Sequence, residues 1–341
     1  MLIASIEELK KYIPTDVGQN LEKINSFLEN AETREIIKIL GGALYMELKA
    51  AYEIGFDASP EIDSGSTDLR NDKLEALLPY VQRPLAYFAY LDAVPIIDVV
   101  ITNTGLGVVS NQNIAPASQN RVASFKKGIE KAAFDGVEAL IQYLEENIAD
   151  FDTWQSSTAY SLQKNHIITN AREFNKYVEI ENSRLSYLKL LPTMFNVEQM
   201  EVAAAISKDL LDEIIEEQKD GDVTSENQKI LDMLKPAVAN MAMGRGIYLL
   251  ANAIYAEGVM KNYVMFESQP AERGAIEEIK NSFQATGMAY LTRARGIILA
   301  NIDDYQSYKD SDLYDETQTE VGPTYENEDI NTTFTFGGGI C

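Results

Sequence analysis

Apolar residues recur along this chain at intervals of three and four. Leu74, Leu78, Val81, Leu85 and Phe88 mark one stripe, the rhythm that lines one side of a 3.6-residue helix. Phe125, Ile129, Ala133, Val137, Leu140, Leu144 and Ile148 mark a second, and Ile36, Ile39, Ala43 and Leu44 a third. Alternation with a period of two is scarce. The pattern predicts a mainly α protein with β structure confined to short pieces.

The same pattern occurs twice. "SIEELKKYI" (Ser5 to Ile13) matches "NAREFNKYV" (Asn170 to Val178), and each puts a capping residue three places before a glutamate, Ser5 with Glu8 and Asn170 with Glu173. That spacing satisfies orphan N–H groups at a helix start. "NDKLEALLPYV" (71–81) resembles "NQKILDMLKPAV" (227–238), each leading a long apolar helix. A Gly-Val pair follows in both halves, Gly107-Val108 and Gly258-Val259, then a short β-branched segment, a Pro-Ala pair and a last amphipathic helix ending in "NIAD" or "NIDD". Four matches in one order predict a duplicated helical-bundle domain. The expected boundaries are a first copy over 1–150, a linker over 151–165, a second copy over 166–303 and an acidic C-terminal arm over 304–341.

The stretch "TGLGVV" invites comparison with a phosphate-binding loop. Such a loop needs a helix beginning directly behind its glycines, with a lysine or hydroxyl poised for the anion. Here the next helix waits for Pro116, and the second copy reads "AEGVMKNYV" with one shared glycine. Proline suits the first turn of a helix, so the segments between Gly-Val and Pro-Ala are expected to form short β-hairpin flaps.

Composition narrows the function classes. The 341 residues carry 29 basic and 53 acidic side chains, a net charge of −24, which repels phosphate backbones and anionic lipid heads. Sequence-reading contact with nucleic acid is not expected, whereas DNA sliding past an acidic wall is compatible. There is no run of about 18 apolar residues and no export signal at the N-terminus, so no membrane association is expected. Cys341 stands alone, which precludes an intrachain disulfide,.

Candidate chemistry is thin. His166 is the one histidine, expected as a solvent-facing or capping residue near a helix start; with one His and one Cys, zinc and di-iron ligand sets cannot be assembled,. Asp310, Asp312 and Glu316 have a superficial calcium-loop look but lack the glycine and the closing glutamate such a loop requires. No cofactor, metal or catalytic residue is expected, and an enzyme is disfavoured. The tyrosines point elsewhere: Tyr80, Tyr87 and Tyr90 surround a helix that also carries Arg83, a composition that protein interfaces enrich and that core packing also explains. The last 38 residues hold nine acidic side chains and one lysine. Within them Phe334 and Phe336 alternate with threonines, which suggests an arm that lends a strand to a neighbour.

A short amphipathic start helix ("SIEELKKYI"), a long helix ending in Gly-Val, an extended flap ("VVSNQNIAPAS") and a Pro-Ala-led last helix resemble the head-tail connector (adaptor, or neck ring) proteins of tailed phages. The duplicated, acidic form with a C-terminal arm is similar to ring proteins of crAss-like phages. The resemblance covers most of residues 1 to 304 and rests on order and spacing. It implies a structural virion protein, made in the bacterial host cytoplasm, that forms a dodecameric ring in the neck. Its partners would be further copies of itself, the portal protein, and the tail or other neck proteins, with DNA passing through unbound. Ring contacts would involve Tyr80, Arg83, Tyr87, Tyr90, Gly107, Val108, Gly258, Val259, Phe334 and Phe336. The competing reading is an intracellular helical scaffold or regulatory protein acting through protein–protein contacts.

Overall fold

The computed structural model describes residues 1–13, 21–56, 66–96, 99–102, 105–108, 118–255, 258–261 and 273–315. The protein is mainly helical, and its elements form two sets in matching order. The first runs α1 (Ile6–Lys10), α2 (Asn25–Ala31), a π-helical turn (Glu32–Ile36), α3 (Ile37–Ile54), α4 (Ser66–Ala93), a ribbon of β1 (Val99–Thr102) and β2 (Gly105–Val108), α5 (Gln119–Glu146), a 3-10 turn (Ile148–Asp150), α6 (Asp152–Gln155) and α7 (Thr158–Lys164). The second runs α8 (Ala171–Asn175), α9 (Arg184–Val197), a π-helical turn (Glu198–Val202), α10 (Ala203–Ile206), α11 (Lys208–Asp220), α12 (Ser225–Ala251), a ribbon of β3 (Asn252–Tyr255) and β4 (Gly258–Lys261), α13 (Arg273–Ala300), a 3-10 turn (Ile302–Asp304) and α14 (Gln306–Lys309).

Local chemistry explains the helix starts. The Ser5 hydroxyl accepts the Glu8 N–H, and the Glu8 carboxylate accepts the N–H groups of Ala4 and Ser5. Asn170 and Glu173 repeat the device, with Glu173 accepting from Thr169 at 3.1 Å. Each set has its own core. Leu9, Leu28, Ile36, Leu44, Val81, Leu85, Leu140 and Leu144 are fully or nearly fully buried in the first, as are Phe174, Leu190, Val197, Ile206, Leu211, Ile230, Leu234 and Ile298 in the second. The long pairs α4–α5 and α12–α13 frame these cores. Gly287 lets α12 come close, since a β-carbon there would stand 3.0 Å from the Ala237 carbonyl.

Both expected boundaries move outward. Residues 151–165, expected as a linker, are largely helical, and Phe151, Trp154 and Tyr160 are buried in the first core. The arm expected from residue 304 does not begin there, because Tyr305 and Tyr308 are buried in the second core. The two segments are equivalents. Asn147 and Asn301 each turn back to a carbonyl four residues earlier (2.8 and 2.9 Å), and Ser157 and Ser311 each donate to a carbonyl three residues earlier (both 2.6 Å). Aromatic side chains at 151, 154, 305 and 308 carry enough apolar area to dock a short helix that has no long stripe of its own.

The third apolar stripe also shifts. Ile36, Leu40 and Leu44 are the fully buried residues, while Ile39 is half-buried and Ala43 exposed. The π-helical turn and the break at Gly41 (φ 73°) reset the helical phase,. Ser207 (φ 72°) makes the same break in the second copy and caps α11 through its hydroxyl. A β-carbon on Gly41 would stand 2.9 Å from Ser157 Cβ. Gly41→Ala is therefore expected to lose about 1–3 kcal/mol, read from urea unfolding; an unchanged midpoint would show that the break is not fixed.

Candidate functional site at the junction of the two copies

The chain crosses from one copy to the other through residues 165–170, where His166, Ile167 and Ile168 are buried. Glu198, at the start of the second π-helical turn, accepts the Ile167 N–H at 2.9 Å and stands 2.8 Å from His166 Nδ1. The expectation of a solvent-facing histidine is thus corrected, because a buried carboxylate (1% exposed) holds the ring. The first copy uses the same device. Glu32 opens its π-helical turn, is 4% exposed, and accepts the Leu2 N–H together with the Tyr45 hydroxyl at 3.0 Å. Burial and the Glu32 charge push the Tyr45 hydroxyl well above the usual tyrosine range. In each copy, then, a buried glutamate clamps the segment that precedes the first helix onto the core.

Beside this crossing lies a cluster of charges contributed by both copies. Glu138 on α5 faces two guanidinium groups of the second copy, Arg172 at 3.5 Å and Arg184 at 3.7 Å. Glu145, two turns further along α5, pairs with Arg172 at 3.3 Å and with Lys164 at 2.9 Å. Lys131 and Glu181 extend the row at the exposed edge. Burial pushes the Glu138 carboxyl up, and Arg184 and Arg172 offset only part of that. A cavity of about 260 Å³ adjoins the cluster, lined by Phe88, Phe134 and Val137 of the first copy and Arg184, Leu188 and Leu191 of the second.

The two copies meet through different faces. The first contributes α5, α7 and the start of α3, whereas the second contributes its crossing segment, α8, α9 and, against α7, α11. Such a contact is heterologous: it joins unlike faces of two like units.

The residues singled out in the sequence do not form one patch. Tyr80 (39% exposed) stacks on Tyr143 with ring centroids 4.3 Å apart, and it lines a shallow pocket with exposed Arg83 and with Tyr12. Tyr87 and Tyr90 are half-buried against the first core, Tyr90 edge-on to Phe125, so packing accounts for them. Gly107 and Val108 pair with Val100 and Val99, while Gly258 and Val259 pair with Tyr255 and Ile254. The true equivalent of Gly258 is therefore Gly105, opposite Thr102, and the sequence match of the two Gly-Val pairs is out of register by two residues. Phe334, Phe336, Cys341 and most of the arm lie outside the described residues. The junction cluster escaped sequence reading because its partners, Glu138 with Arg172 and Arg184, share no motif; the one local hint was a glutamate within the apolar stripe of α5. Among the described residues no group of three or more His, Cys, Asp or Glu side chains is placed to hold a metal ion, and no helix is long and apolar enough to cross a membrane.

Fold and junction together define a tandem repeat of one helical unit. The chain belongs to the DUF6712 family, a family of unknown function, whose profile matches it twice, over residues 36–163 and again over 202–318. Those spans take in both α6–α7 and α14, in keeping with their places in the two copies. No curated protein and no solved structure matches the chain.

Proposed function

We propose that this protein is a structural component of a tailed-phage neck, a ring of the dodecameric kind set between portal and tail, with no catalytic step. The observation that carries the reading is the heterologous junction: a unit built to sit beside a copy of itself occurs twice in one chain. The resemblance in element order to head-tail connectors supplies the setting. In this reading the two ribbons, β1–β2 and β3–β4, act as flaps reaching neighbouring proteins, and exposed Tyr80 and Arg83 belong to a contact surface. The residues around Phe334 and Phe336 would complete a neighbour's sheet. The net charge of −24 suits a wall that DNA passes without sticking,.

Gold-labelled antibody against the chain, applied to purified virions, is expected to mark the neck between head and tail. Label confined to host cytoplasm, with virions bare, would overturn this reading and leave the helical scaffold in its place.

A further inference from the structure

We propose that chains associate head to tail by repeating their own internal junction, with Glu7 of one copy of this protein meeting Arg295 of the next. The inference deepens the ring reading and rests on it only for closure of the array; the contact itself stands on the repeat.

Matching α5 to α13 end to end places on the second copy the counterpart of the face that the first copy uses at the junction. Met288 takes the place of Phe134, and Leu313 that of Ala159, both cavity-lining residues in the first copy. Met288 is 48% and Leu313 37% exposed. Ile141, fully buried, has Arg295 as its counterpart. The Arg295 Nε is buried with no hydrogen-bond partner among the described residues. Arg295 as a whole is half-buried, so its guanidinium, one donor short of a partner, can meet an acceptor brought by a neighbour,.

The opposite face supplies one. Arg172 is the second residue of α8, and its counterpart, the second residue of α1, is Glu7. At the internal junction Arg172 reaches Glu138 and Glu145, and Ile141 lies between those two on the same side of α5,. If the junction recurs between chains, Glu7 of the incoming copy arrives over the counterpart of Ile141, which is Arg295. The charges at the open ends are thus exchanged relative to the internal junction, acid for base and base for acid, and still complement each other. Glu7 is exposed and makes no hydrogen bond or ion pair among the described residues. Exposed Ala4, the counterpart of Thr169, offers no bulk that would hold the faces apart.

Sedimentation of the full chain over a concentration series tests the contact. Wild type is expected to associate with rising concentration. Arg295→Glu and Glu7→Arg should each weaken association at least tenfold, and the double reversal in one chain should restore it to within about threefold of wild type. Restoration separates loss of contact from loss of fold. Single variants that associate like wild type, or a double variant no better than the singles, would overturn this contact while leaving the neck reading to stand on virion labelling. A wild-type chain that remains single at every concentration would overturn it as well.

Discussion

Glu138→Ala is expected to cost about 3–5 kcal/mol and to uncouple the two copies. The carboxylate sits between Arg172 and Arg184, and Arg184 is itself buried (6% exposed). Removing it strands a guanidinium in a site of low dielectric, which costs more than the pair contributes when intact. Chemical unfolding should change from one transition to two as the copies lose their shared charges. The acid side has a sign of its own. Since the folded carboxyl lies above its unfolded value, the native state holds more protons than the unfolded chain between the two values. Wild-type stability measured against Glu138→Gln should therefore fall as pH rises through that window and level off above it. A difference that grew with rising pH would mean that ion pairing outweighs desolvation at this carboxylate.

Trp154→Ala and Tyr308→Ala are each expected to lose about 3–5 kcal/mol, from the copy that holds them. Trp154 is fully buried, donates through Nε1 to the Ile39 carbonyl at 2.9 Å, and meets Tyr160 edge-on. Tyr308 is fully buried at the equivalent place, and neighbouring Tyr305 donates to the Glu226 carbonyl at 3.0 Å. A chain ended after Asp303 should therefore melt well below one ended after Asp315, which keeps both tyrosines. Equal melting of the two truncations would return residues 304–315 to the arm.

Much of this architecture is legible in the sequence where physics acts locally. The stripes of α4 and α5 follow from spacing except at Phe125, which is 44% exposed, and the starts of α1 and α8 follow from Ser5–Glu8 and Asn170–Glu173, whose side chains close on their own backbone. The duplication follows from the order of such signals. What stays hidden depends on conformation or on distant partners. Gly41 and Ser207 hold the same left-handed backbone with different residue types, so no alignment of letters pairs them. The π-helical turns that begin at Glu32 and Glu198 add a residue per turn, and in the first copy Leu40 is buried where Ile39 and Ala43 were expected, while Ile36 and Leu44 keep their places. The copies run past residues 150 and 303 because a few large aromatic side chains, Trp154 and Tyr308 among them, suffice to anchor a one-turn helix that periodicity cannot register. The junction is hidden most deeply, since its glutamate and arginines are brought together only by the packing of α5 against the second copy.

Class-averaged electron micrographs of the assembled protein, with native mass measured on the same sample, bear most directly on the central claim that one chain supplies two neighbouring units of a ring. The expected result is a closed ring whose helical lobes number twice the chains given by the mass. A ring with one lobe per chain, or a sample that never closes into rings on its own or in virions, would contradict it.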